Sequence, residues 1–193
     1  MKKFLGIIKL IFLLQVYVLF SNFQEETEGI ILGAESLEEF IPLIENKKIG
    51  LVSNSSSIIR SGNKQVHLLD TLLKLNQKIK AVFAPEHGFL SDQENGALIE
   101  NDFDFKRNVN IYSLYGKNKK PSPNQLKDIN IMLFDLQDVG ARFYTYLSTL
   151  YFIIEACAEN KIPLIILDRP NPNGHYIDGP ILEKKFLSFV GML

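Results

Sequence analysis

Residues 79–88 read IKAVFAPEHG. Apart from Lys80 the first half is a short apolar run, without the polar alternation of a half-solvated strand, and it reads as a strand buried on both faces. The second half changes character within one residue. Pro85 fixes φ and lacks an N–H, while Gly88 permits backbone angles that other residues resist, so Glu86 and His87 are presented on a stiff, sharp exit loop. Taken alone, a surface turn carrying two polar residues would look the same. The other strand ends decide between the readings.

Outward from this stretch the same pattern recurs. Upstream, KIGLVSNSSS (48–57) is an apolar strand that runs into a polar loop at Asn54. LEEFIPLIENKK (37–48) before it has apolar residues at helical spacing. KQVHLLDTLLKLNQK (64–78) carries a helical stripe of Val66, Leu69, Leu72, Leu73 and Leu75, so that residues 48–88 read as a βαβ unit. Phe89 to Asp104 is polar and reads as a long excursion over the C-terminal edge of the sheet, the kind of loop that is usually functional or disordered. Then come a strand-like VNIYSLYG (109–116) and SPNQLKDI (122–129), where serine before proline starts a helix. INIMLFDLQDVGARFYTY (129–146) is a further apolar strand ending in acidic residues. YLSTLYFIIEACAEN (146–160) places Leu147, Leu150, Tyr151, Ile154 and Cys157 on one helical face, and IPLIILDRPNPNG (162–174) is another apolar strand with a charged end. Apolar strands alternating with amphipathic helices predict an α/β fold: a mainly parallel sheet with helices on both faces.

With 193 residues, 46% hydrophobic and 22% charged, the chain has the composition of one globular domain able to bury a core. Its 21 basic residues are balanced by 22 acidic ones, and the KNKK run at 117–120 is too small to make a strong field, so no nucleic-acid partner is expected. Residues 1–27 have a basic start, an apolar stretch from Ile11 to Phe20 and an acidic exit, the layout of a signal peptide or membrane-directed leader. Export to the periplasm or the cell exterior is the expectation, with any membrane link made through this leader alone. Lys9 leaves the stretch short for a spanning helix, and no A-x-A site marks a cleavage point. The single cysteine, Cys157, excludes an internal disulfide and a lipid anchor just after the leader, and it reads as a small buried hydrophobe.

In a parallel sheet the residues that follow each strand gather along one edge, where open α/β sheets bind ligands. That edge would collect Asn54, Glu86 with His87, Asp135 with Asp138 and Arg142, and Asp168 with Arg169. Several of these have a structural reading beside the functional one. Asp168 and Arg169 can pair with each other and brace the proline-rich turn. Asp138 can be the N-cap of the following helix. Arg142 can pair with an aspartate, or its fork can hold a substrate carboxylate through two hydrogen bonds. His67 falls in a helix and His175 in a turn, without ligand-like partners, which speaks against a zinc site. The chain has no G-x-G-x-x-G, no G-x-x-x-x-G-K-[ST] and no G-x-S-x-G, so nucleotide binding and serine hydrolysis lack sequence support and no cofactor is expected. Carboxylate chemistry remains.

LVSNSS, FAPEHGF, YSLYG, FDLQDVGARFYTY, LDRPNPNG, GPIL and SFVG follow one another in the order and approximate spacing of the bacterial NamZ-type exo-β-N-acetylmuramidases, which residues 48–192 resemble. The resemblance implies a Rossmann-like domain carrying an active-site cleft, and enzymes that release N-acetylmuramic acid from the non-reducing ends of peptidoglycan fragments during cell-wall turnover. It makes Glu86 the candidate catalytic acid, with His87 and Asp168 as further catalytic candidates. It also makes Asn54, Asp135, Gln137, Asp138, Arg142, Tyr144 and Arg169 candidates for binding muramyl saccharides. The second group of a glycosidase would be Asp135, Asp138 or Asp168, or the substrate's own 2-acetamido group. Family members run further and close the cleft with a smaller C-terminal domain. Residues 28–193 are therefore expected to be an incomplete Rossmann-like domain. Beside the enzyme stand two other readings: a non-catalytic muropeptide-binding remnant, and a different hydrolase or transferase on the same fold.

Overall fold

The computed structural model describes residues 29–61, 64–90 and 101–192. The leader therefore lies outside the described residues, as does most of the polar excursion after Phe89. The described residues from Ile31 onward form one compact unit.

Among the described residues, six strands make the main sheet: β1 (Lys48–Ser53), β4 (Lys78–Ala84), β5 (Asp102–Asp104), β6 (Val109–Ser113), β7 (Ile131–Asp135) and β8 (Leu164–Ile166). Their order is β5-β6-β4-β1-β7-β8, with every neighbouring pair parallel except β5 against β6. The α/β class and the mainly parallel sheet expected from the apolar strands are observed. A separate antiparallel hairpin, β2 (Ile58–Ser61) and β3 (Lys64–His67), intervenes between β1 and the next helix.

Residue parity sorts the core into two layers. Ile49, Leu51, Val82, Ala84, Ile131 and Leu133 face α1 (Leu37–Ile44) and α2 (Leu68–Lys74). Their strand neighbours Val52, Ala81, Phe83, Met132 and Phe134 face α3 (Pro123–Leu126) and α4 (Tyr146–Asn160). Period-2 alternation in which both faces are apolar is what helices on both sides require. Gly50 of β1 has a packing reason. A Cβ there would come within 2.9 Å of both the Ile129 and Met132 side chains.

Local boundaries correct three sequence expectations. The stripe begun at Val66 is split, because residues 64–67 pair with β2 and α2 starts only at Leu68. His67 is therefore not inside a helix but is the N-cap of α2, its Nδ1 accepting from the Leu69 N–H at 3.1 Å. On α4 the buried face is Tyr146, Thr149, Ile153, Ala156 and Cys157, whereas Leu147, Tyr151 and Ile154 are exposed. Three-residue spacings fit a helix equally well on adjacent faces, and the position of the sheet, which chose the face, is not in the helix's own sequence. Cys157 is buried as expected, which pushes its thiol up to about 11 and leaves it unreactive. Among the described residues no helix is long and apolar enough to cross a membrane.

Candidate active site

The chain leaves β1 for β4 and β6 on one side and then returns past β1 to β7 and β8, so the strand order reverses between β1 and β7. In open α/β sheets the crevice beyond the strand ends at such a reversal is where ligands bind. A cavity of about 400 Å³ lies there, lined by Asn54, Ser55, Ser56, His87, Gln137, Val139, Tyr144 and Tyr146. Four sequence-predicted site residues, Asn54, His87, Gln137 and Tyr144, thus line one space, and they come from the exits of β1, β4 and β7.

The β1 exit is a cross-linked loop. The Asn54 Oδ1 accepts from the Ser56 N–H (3.0 Å) and Oγ (2.7 Å), closing an Asx turn, and its Nδ2 donates to the Tyr146 hydroxyl at 2.6 Å. Ser57 Oγ donates to the Asp135 carbonyl at 2.6 Å, stitching this loop to the end of β7. His67 holds it from behind: its Nε2–H donates to the Asn54 carbonyl at 2.8 Å. The other ring nitrogen accepts the α2 cap, so the neutral Nε2–H tautomer serves both bonds, and burial lowers the ring's pKa in the same sense. Asn54 is itself only 2% exposed, and it orders the loop as well as lining the cavity.

At the β4 exit the Gly88 N–H donates to the Pro85 carbonyl at 3.0 Å, closing a tight turn with His87 at φ 71°. A left-handed conformation at a non-glycine residue is sparsely populated and costs about 1–2 kcal/mol, and it turns up where function holds a side chain in place. Phe89 anchors the turn in the core, with its ring edge-on to His67 at 5.1 Å. Glu86 is half-buried and does not line the cavity, although its neighbour His87 does. Its Oε2 accepts from the Thr145 hydroxyl at 2.8 Å, and its carboxyl group raises the pKa of the Tyr115 phenol.

The β7 and β8 exits are different. Arg169 grips Asp135 through Nε at 2.5 Å and Nη2 at 3.1 Å, with side chains 5% and 0% exposed, and its Nη2 also reaches the Ile58 carbonyl. Burial pushes the Asp135 carboxyl up and the Arg169 fork pulls it back. Arg169 therefore pairs with Asp135 and not with Asp168, whose Oδ1 accepts only its neighbour's backbone N–H, at 2.9 Å. Asp168 is exposed beside Gly33, whose N–H donates to the Asp168 carbonyl at 2.9 Å, and the structure does not bring it to the cavity. Asp138 is not the cap of α4: its Oδ1 accepts from the Gly140 N–H at 2.7 Å, while its Oδ2 is buried without a hydrogen-bond partner among the described residues. Thr145 occupies the cap position. Arg142 meets neither aspartate, since its Nη2 donates to the Pro180 carbonyl at 2.7 Å on an exposed surface. Gln137 spans the loops, its Nε2 donating to the carbonyls of Asp138 (2.7 Å) and Pro170 (2.9 Å).

Sequence reasoning missed His67, Tyr115, Thr145 and Tyr146. Tyr115, Thr145 and Tyr146 stand in the YSLYG and FDLQDVGARFYTY blocks, but nothing in their spacing ties them to Glu86 or Asn54. Burial, first, and the Tyr144 hydroxyl raise the Tyr146 phenol, so it meets Asn54 as a neutral group. No cluster of three or more metal-ligating side chains is found among the described residues.

These features define an α/β protein whose ligand crevice lies at a strand-order reversal and is lined by a histidine, amides, serines and tyrosines, with a glutamate next to the histidine. Residues 49–193 match the family model for the N-terminal part of the exo-β-N-acetylmuramidase NamZ, and the chain belongs to that family. It is 44% identical over 157 residues to the peptidoglycan β-N-acetylmuramidase NamZ of Bacillus subtilis strain 168, covering 81% of this chain and 37% of that protein. Two crystal structures of DUF1343 family proteins from Bacteroides fragilis superimpose with TM-scores of 0.70 and 0.73 at 45% and 36% identity. They cover 84% and 83% of this chain, which in turn spans 41% and 40% of theirs.

Proposed function

We propose that this chain carries the catalytic acid of an exported glycoside hydrolase that releases N-acetylmuramic acid from the non-reducing ends of peptidoglycan fragments. The observation that carries the reading is Glu86: a half-buried carboxyl group next to the strained, crevice-lining His87, held by the Thr145 hydroxyl and by no arginine or lysine among its described partners. Such a group is available to give a proton to a leaving oxygen, whereas Asp135 is committed to Arg169. Family membership and the named activity of the Bacillus subtilis relative support the substrate class. For the second role the proposal takes Asp138, with its unpartnered Oδ2, or the substrate's 2-acetamido group oriented by it. Asn54, Gln137 and Tyr144 supply amide and hydroxyl contacts to the sugar, and residues 1–27 direct export.

Glu86→Gln preserves the shape and removes the acid. Release of N-acetylmuramic acid from a substrate with a poor leaving group should fall by roughly a hundredfold to ten-thousandfold, and much less with a good leaving group. Equal, modest losses on both would assign Glu86 to binding, and unchanged rates would move the acid elsewhere. Export is tested separately by fractionation, where intact protein in the cytoplasm would count against it.

A further inference from the structure

Thr145 is the N-cap of α4, yet its side chain makes no capping hydrogen bond. Its backbone is already helical (φ −81°, ψ −4°), outside the extended region from which an N-cap hydroxyl ordinarily reaches the N–H of the second or third helical residue, so the hydroxyl is free for another acceptor. That acceptor is the Glu86 Oε2, at 2.8 Å. A second hydroxyl arrives from the opposite direction. The Leu114 N–H donates to the Ala84 carbonyl at 2.8 Å, carrying the β4–β6 ladder one residue past the strands and setting Tyr115 beside the Pro85–Gly88 turn, where the Glu86 carboxyl group raises the pKa of its phenol. A glutamate side chain has three rotatable bonds and loses them only where contacts hold it. The Thr145 hydroxyl holds this one from the start of α4, and the Tyr115 phenol stands near it from the end of β6.

We propose that Thr145 and Tyr115 are positioning residues that fix the orientation of the Glu86 carboxyl group beside the crevice. The assignment of a reaction to that orientation rests on the glycosidase reading above, but the orientation itself does not. A brace that merely tied the turn to α4 would be satisfied by any contact of the right shape. Positioning requires the hydroxyls.

The test compares the full chain as wild type, Thr145→Val, Thr145→Ser and Tyr115→Phe, with ¹³C-labelled glutamate carboxyls and the Glu86 resonance assigned from Glu86→Gln. The Glu86 resonance should move in Thr145→Val and in Tyr115→Phe and return to its wild-type position in Thr145→Ser. In kinetics, kcat on a poor-leaving-group muramoside should fall about tenfold to a hundredfold in Thr145→Val, with KM within about twofold, and recover in Thr145→Ser. A resonance that stays in place in both hydroxyl-deleting variants overturns the proposal. So does a loss that falls on KM alone or that serine fails to restore. Melting temperatures identify a variant that does not fold, and if Thr145→Val is one, Tyr115→Phe decides. If the resonance responds as expected while the wild-type chain releases no N-acetylmuramic acid, the glycosidase reading fails and the positioning of Glu86 stands.

Discussion

Glu86 and Asp135 stand at the ends of two parallel strands, β4 and β7, that flank the same central strand β1. Each follows an apolar run, and each is taken by partners from elsewhere in the chain. Asp135 meets an arginine fork in a buried, two-bond ion pair, so its charge is neutralised and its oxygens are occupied. Glu86 meets hydroxyls, which orient a carboxyl group without supplying a countercharge. One strand end is sealed and braces β2, β7 and the loop after β8 together; the other is oriented and left open to chemistry. A carboxylate at a strand end is therefore evidence of a site only once the charge of its partner is known.

Removing the acid at one strand end and the arginine partner at the other should separate these roles in opposite directions. In Glu86→Gln the loss of turnover described above should come with a melting temperature close to wild type, because the amide still accepts from Thr145. A melt lowered as much as that of an Arg169 variant would make Glu86 a second brace and end the contrast. Arg169→Ala should do the reverse. It strands Asp135 at 0% exposure without its partner, and breaking a buried pair from one side costs about 3–5 kcal/mol, read by chemical denaturation. A cost under about 1 kcal/mol would mean the pair is solvated and available to ligand.

The strain at His87 gives a smaller effect. Glycine accepts φ 71° freely and alanine does not, so His87→Gly should be more stable than His87→Ala by about 1 kcal/mol, although glycine adds freedom to the unfolded chain. Equal stabilities would mean that the turn relaxes when the histidine is removed. The smallest expected effect lies away from the site and calibrates the rest. Glu35 accepts from the Arg60 Nε at 2.8 Å and from the Leu32 N–H, and the Arg60 bonds, in the main, hold its carboxyl at about 2, against an ordinary 4.5. A depressed folded pKa contributes stability that is complete above 4.5 and is lost as pH falls toward about 2. Arg60→Ala should flatten the stability profile in that window and leave it unchanged near neutrality apart from a constant offset. Because Arg60 is largely exposed, the change should be modest and should shrink with added salt.

The amino-acid sequence by itself determined the layered architecture and the edge on which the polar groups collect. Runs such as IGLV, AVFA and IMLF are apolar at every position, and only a sheet covered on both faces buries both parities. Proline and glycine around Glu86 and His87 announced a sharp exit, and the exit is there at positive φ. Pairing was decided by tertiary structure alone. Nothing local distinguishes FDLQD from FAPEH as a brace or a site, because the deciding partners lie 34 residues away for Asp135 and 59 for Glu86. The β2–β3 hairpin, the choice of face on α4 and the cap histidine that holds Asn54 were invisible for the same reason. Hydrophobic periodicity records what a segment buries, whereas a hydrogen bond between distant residues depends on where the chain returns, and that is set by the packing of all the elements together.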